Sequence, residues 1–358
     1  MNAPHVPSVV LAAGTATGAG TTVALVEACR TLARQLSDGH ISAAEVRLPV
    51  EATEARAAAV GCTVVTQNRW EAIAAELIDR SNADVYIGFA DRLPINRRTD
   101  ATRVMVIQNP HLYEPSDAPS LGEVGRKVRT WWASQSATSA DLIVCATNAS
   151  RDAVRDAVGG LSQTRMDVRP IRPATPPPRE SQPATIGRFV LLGDLYSYKR
   201  FDVALDGITE WAANGSGSGA VEVVHCGRPR DEKAADDFAA AIARAESVGV
   251  EVIQRGAVDH GAAMDELLAA DVLVSASEVE TQGLTILEAM AVGVPVIARS
   301  IGPVEDLAGD AVASFSVDGG ASEIAAAIEL IEDQTVRTQL VERGLKRADS
   351  EAGWNLLP

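Results

Sequence analysis

"ADVLVSASEVETQGLTILEAMAVGVPVIARSIGPVEDL", residues Ala270–Leu307, packs strand, helix and strand into one stretch. The apolar run Val272–Val274 predicts a buried strand, and the small residues Ser275–Ser277 open it into a loop carrying Glu280. Gly283 then starts a helix that bears Glu288, and a Gly293-Val294-Pro295 turn leads into a second apolar run over 294–298. Both runs are apolar throughout rather than alternating, as expected of parallel strands covered on two faces.

The same alternation extends in both directions. The second half reads as strands near 187–195, 221–226, 250–254, 271–275, 294–298 and 312–316 with helices between them. The first half reads as strands near 7–13, 62–66, 84–88, 103–108 and 141–145, with helices near 20–37, 69–80, 123–139 and 148–158. Between the halves, Val168–Thr185 holds six prolines among polar residues and continues neither periodicity. A chain of 358 residues exceeds one ordinary core. The expected organisation is a first domain over 1–170, a proline-rich linker over 171–186, a second domain over 187–340 and a tail over 341–358 that crosses back to the first domain. The fold class is α/β, two doubly wound Rossmann-like domains, with ligands beyond the carboxyl ends of the strands and the domains facing each other across a cleft.

Bulk properties narrow the function classes. A net charge of −16 argues against a general nucleic-acid binder, whose affinity rests on neutralising phosphates with Lys and Arg. The four cysteines, Cys29, Cys62, Cys145 and Cys226, are scattered without metal-ligand spacing, which fits a reducing, cytoplasmic setting. No apolar run approaches the roughly 18 residues that span a bilayer.

Two glycine-bearing turns suggest phosphate binding. "GTATGAGTT", Gly14–Thr22, lies between an apolar strand and a helix, but no lysine follows Gly20 as a Walker A loop requires, and the glycines do not fall as GxGxxG. What remains is generic: glycines, Gly18 and Gly20 among them, allow close backbone approach, and the helix start offers a positive dipole end. The loop therefore argues against a Walker-type kinase or ATPase and against a nicotinamide enzyme, and a tight strand-to-helix turn with no ligand is the alternative reading. The second turn says more. The amides of Thr281, Gln282, Gly283, Leu284 and Thr285 surround a helix N-terminus suited to a diphosphate, and carboxylates stand eight residues apart across it, Glu280 able to reach sugar hydroxyls and Glu288 a ribose.

The segment "ETQGLTILEAMAVGVPV" resembles the E-x7-E region of retaining glycosyltransferases of the GT-B fold, in particular glycosyltransferase family 4, whose usual form is close to "EGFGLxxxEAMAxGxPV". "VLLGDLYSYKRFDVAL" (Val190–Leu205) resembles that family's phosphate-binding lysine segment, and "RGAVDHGAAMDELLAADVLVSAS" (Arg255–Ser277) its base-binding turn and helix. The resemblance covers most of 187–335 and only weakly the first half. It implies that Lys199 neutralises the donor diphosphate, Glu280 contacts the transferring sugar, Glu288 holds the ribose, and backbone groups at Gly256 and Val258 read the base. The family often has an arginine after the strand glycine, where this chain has Asp194; Arg200, next to Lys199, is the candidate replacement. By the same resemblance the Gly14–Thr22 loop lies at the donor phosphate.

The implied activity is a retaining hexosyltransferase using a nucleoside-diphosphate sugar as donor substrate, without cofactor or metal. The acceptor is a carbohydrate, a lipid-linked molecule or a small molecule. No DxD triplet occurs, so the diphosphate falls to Lys199 and amides. In "QNPH", Gln108 and Asn109 occupy the likeliest contact position for the sugar and His111 follows slightly late; it is a candidate catalytic residue, with packing or capping the equal alternative. The pair Trp131 and Trp132 reads mainly as core, with peripheral membrane contact the minor reading. "RPRDEKAADD" (Arg228–Asp237) reads as a solvated helix start. The rival functions are a sugar-nucleotide epimerase or phosphorylase of similar shape, and a noncatalytic nucleotide-sugar-binding partner subunit.

Overall fold

The computed structural model describes residues 5–14, 19–78, 81–89, 91–95, 100–108, 123–215, 219–349 and 354–358. They fall in two compact units, one within 1–174 together with 354–358, the other within 175–349.

The first unit holds β1 (Ser8–Ala12), β2 (Ala43–Pro49), β3 (Thr63–Gln67), β4 (Val85–Gly88), β5 (Thr102–Val106), β6 (Leu142–Cys145) and β7 (Arg165–Val168). All are parallel, in the order β3-β2-β1-β4-β5-β6-β7. The strands with unbroken apolar runs lie in the middle of the sheet, where helices cover both faces. Two strands have no such run and escape the sequence reading. β2 places Ala44, Val46 and Leu48 in the core, while on the other face Glu45 and Arg47 pair at 2.7 Å. β7 is an edge strand whose Arg165 and Asp167 pair in solvent. The first helix runs Ala19–Ser37, so its first turn includes Gly20 and starts slightly earlier than the sequence suggests.

The second unit holds β8 (Arg188–Leu192), β9 (Val221–Cys226), β10 (Val250–Gly256), β11 (Val272–Ser275), β12 (Val296–Arg299) and β13 (Ala313–Phe315), parallel in the order β10-β9-β8-β11-β12-β13. Alternate residues of β8 enter opposite cores. Phe189 and Leu191 pack with Trp211, Phe238 and Ile328; Val190 and Leu192 pack with Leu273, Leu287 and Met290. Burial on both faces is why these strands read as continuous apolar runs. In each unit the strand order reverses beside the first strand, between β1 and β4 and between β8 and β11. At such a point the two flanking helices leave on opposite faces and open a crevice beyond the strand ends.

The proline-rich stretch is fastened to the second unit over much of its length. The Arg179 amide donates to Val292 O at 3.1 Å, its Nη1 to Ala270 O at 2.8 Å, and Gln182 Nε2 to Gly293 O at 2.8 Å. Arg337, wholly buried, donates to Ile331 O and Pro183 O, each at 2.8 Å. Prolines keep this stretch out of helix and sheet, but they leave its carbonyls and side chains free to dock. At the C-terminus Trp354 belongs to the first unit: its amide donates to Thr31 Oγ1, its Nε1 to Arg169 O, and its ring meets Phe89 edge to face.

Candidate functional site

The switch point of the second unit gathers most of the candidate residues. β8 is followed directly by Gly193, whose φ of 134° only glycine adopts readily. A Cβ on Gly227, just past β9, would sit 1.9 Å from Gly193 O, so the exits of β8 and β9 run backbone to backbone. Gly227 N in turn donates to Gly256 O at 2.8 Å, which brings Gly256, the end of β10, to the same rim; Val258, two residues on, is exposed. Beneath them the buried His225 places Nε2 3.0 Å from Gly193 O, and burial pushes its imidazole below the ordinary value.

From Gly193 the chain makes a short 3-10 turn, Ser197–Lys199, and Arg200 takes a left-handed conformation (φ 49°) before the helix Phe201–Ala213. Lys199 thereby reaches across the switch point. Its Nζ lies 2.5 Å from Glu280 Oε1, a contact between residues 81 apart in sequence. Both side chains are largely enclosed, 18 % and 13 % exposed. The backbone fixes the same meeting, since Glu278 N donates to Tyr198 O at 2.8 Å. The ammonium also lies 5.6 Å from the centre of the Tyr198 ring, which stacks on Tyr196. Burial and the nearby Glu280 push the Tyr198 phenol well above its usual range.

Arg200, the expected replacement for the family's arginine, meets Asp202 through Nε and Nη2 and Glu278 through Nη1 at 2.6 Å. These carboxylates hold its guanidinium firmly charged and occupy all three nitrogens.

Past Glu280, Thr281 is half-buried, Gln282 is buried, and Gly283 caps the helix Leu284–Ala291 in a left-handed conformation (φ 87°). Gly283 has no side chain with which to cap that helix, and the amides of its first turn, including those of Leu284 and Thr285, form a helix N-terminus suited to an anion. One turn in, Glu288 is 4 % exposed. Its Oε1 lies 2.8 Å from Nε2 of His260, the first residue of the helix His260–Ala269. His260 is not among the residues that the sequence singles out; its signal was a histidine directly after the turn over 256–259. Arg299, at the end of β12, is likewise buried. Its Nε donates to Ala276 O at 3.0 Å and its Nη1 to Gly319 O at 3.0 Å, which braces the loop leading to Glu280.

In the first unit Gly14 lies two residues past β1, and a Cβ there would meet Gln67 Oε1 at 2.6 Å. Gly18, Asn109 and His111 lie outside the described residues. Gln108 is described, and its amide donates to the carboxylate of Asp91 at 3.1 Å. Asp91 is fully buried, with φ of 63°, and its own amide donates to Val106 O, so it joins the exits of β4 and β5. The tryptophan pair divides: Trp132 donates to Leu93 O under the guanidinium of Arg92, while Trp131 is exposed. Among the described residues no group of three or more His, Cys, Asp and Glu is placed to hold a metal ion, and no helix is long and apolar enough to cross a membrane.

The elements that form this rim are those of a known family model. Residues 183–347 match the model described as glycosyl transferases group 1. This stretch, which holds Lys199, Glu280 and Glu288, is thus similar to a glycosyl transferase group 1 domain. Among solved structures, HepE of Anabaena in complex with UDP-glucose is similar to it with a TM-score of 0.71 at 15% identity, covering 97% of this chain and 96% of that one. The sucrose-phosphate synthase of Thermosynechococcus elongatus gives 0.66 at 13%, covering 97% and 95%. TarM of S. aureus gives 0.59 at 16%, covering 75% of this chain and 52% of that one, so the chain spans about half the length of TarM. No curated protein matches. The two parallel-sheet Rossmann-like units thus match the fold of GT-B glycosyltransferase structures.

Proposed function

We propose that this glycosyltransferase moves a hexosyl group from a nucleoside-diphosphate sugar held by the second unit to a carbohydrate, lipid-linked or small-molecule acceptor. The transfer proceeds with retention, as in glycosyltransferase family 4, without a metal and in the cytoplasm. One observation carries the reading: Lys199 and Glu280 meet over the crevice between β8 and β11, beside the helix N-terminus that opens at Gly283. A departing nucleoside diphosphate needs its charge stabilised, and an ammonium plus a helix N-terminus supply that field. Glu280 stands next to that cation, where an oxocarbenium-like sugar gains positive charge, while Glu288 lies deeper and suits the ribose hydroxyls. His260 holds the Glu288 carboxylate in one orientation. HepE was solved with UDP-glucose, which makes UDP-sugars the first donors to test.

The test incubates the chain with UDP-, GDP- and ADP-sugars in the presence of chelator, follows release of the nucleoside diphosphate, and assigns the anomeric configuration of the product by NMR. Release with chelator and a product of the donor's configuration supports the reading. An inverted product, or activity that returns only with a divalent cation, overturns the corresponding part.

A further inference from the structure

The segment Arg228–Asp237, which reads in sequence as a solvated helix start, is bolted to the lysine loop by two carboxylates acting in opposite directions. Asp194, on the loop after β8, accepts from the Arg228 amide at 2.9 Å and from Arg230 Nε at 2.6 Å. Asp231, the N-cap of the helix Glu232–Ser247, reaches back and accepts from the Ser197 amide at 2.8 Å and from Ser197 Oγ at 2.9 Å. Backbone bonds between Leu195 and both Arg228 and Arg230 close the pairing. Lys199 and Arg230 are therefore carried on two loops that hold each other in register at adjacent strand ends.

The charges make this arrangement informative. A diphosphate brings several negative charges, and Lys199, the cation over the crevice, is already paired with Glu280. Arg200 is fully engaged by Asp202 and Glu278. Arg230 is held only through Nε: its Nη1 and Nη2 bond to no described residue, and the side chain is 33 % exposed against 10 % for the Asp194 that aims it. A guanidinium fixed by one edge and presenting its two terminal NH2 groups is a geometry suited to phosphate oxygens. Resting on the donor reading above, we propose that Arg230, aimed by Asp194, is the second cation that receives the donor diphosphate beside Lys199.

The experiment measures binding of inorganic pyrophosphate, UDP and uridine to the full chain by calorimetry, because pyrophosphate tests the phosphate contact whatever base the donor carries. Arg230→Gln is expected to weaken pyrophosphate and UDP by about tenfold or more and to leave uridine unchanged, with Arg230→Lys recovering part of the loss. Asp194→Asn, which keeps an acceptor but releases the guanidinium, is expected to fall between wild type and Arg230→Gln. Arg228→Ala, on the same loop and exposed, serves as the control. Pyrophosphate and UDP binding within twofold of wild type in Arg230→Gln, while Lys199→Met loses it, overturns the assignment and leaves the donor reading standing. Equal loss of uridine and pyrophosphate, or loss in Arg228→Ala instead, also overturns it. A wild-type chain that binds neither pyrophosphate nor UDP, GDP or ADP removes the donor reading itself.

Discussion

Replacing Glu280 by Gln separates two roles that its ion pair with Lys199 locks together. The carboxylate lies 2.5 Å from the Lys199 ammonium, a separation worth between about 1.7 kcal/mol in water and about 6.6 kcal/mol at an effective dielectric of about 20. Desolvation and the entropy of holding two side chains cancel much of this, and partly enclosed pairs of this kind return on the order of 1 kcal/mol. A diphosphate must take Lys199 from Glu280 before it gains that cation in full. Glu280→Gln removes the competitor, so nucleoside diphosphate should bind about fivefold more tightly. The same substitution should lower the turnover number with the intact donor, because the lost negative charge faced a sugar that becomes positive in the transition state. Calorimetric titration of UDP, GDP and ADP into wild type, Glu280→Gln, Lys199→Met and the double variant, beside steady-state rates, reads both effects. The reasoning fails if Glu280→Gln weakens the diphosphate as strongly as Lys199→Met does, since Glu280 would then be a ligand of the nucleotide rather than a rival for its cation.

Glu288→Gln should weaken nucleoside as well as nucleoside diphosphate by about 1.5–3 kcal/mol, and His260→Ala by a smaller amount, as read by calorimetry with uridine and UDP. Arg337→Ala should lower the stability of the second unit by roughly 3 kcal/mol, seen in urea unfolding, because it leaves the buried carbonyls of Ile331 and Pro183 without their donor. His225 is kept neutral by burial, so its folded pKa lies below the unfolded value near 6.5. Its contribution to stability is complete above that unfolded value and is lost as pH falls toward the lowered one. Unfolding free energies from pH 7.5 to 5 should therefore decline, and His225→Gln should flatten that slope; an unchanged slope would refute the assignment.

The central strands and the helix start at Gly283 were legible because their patterns are local; Glu280 and Glu288 stood out as candidates by their spacing, and Lys199 only by resemblance. A strand buried on both faces writes an apolar run, a left-handed helix start asks for glycine, and carboxylates eight residues apart straddle one helix end. The strands β2 and β7 were not legible, since a half-covered or edge strand spends its residues on solvent and on ion pairs such as Glu45 with Arg47. The order of the strands, and with it the crevice between β8 and β11, belongs to the tertiary structure alone. So do the partners of the site: that Glu280 takes Lys199, that His260 takes Glu288, that Asp202 and Glu278 occupy Arg200 while Asp194 aims Arg230. Each of these pairings except Arg200 with Asp202 joins residues from 28 to 81 positions apart. Local pattern carries the identity of a charged residue and its place on an element, whereas which charge neutralises which is decided only when the chain packs and desolvation forces every enclosed charge to find a partner.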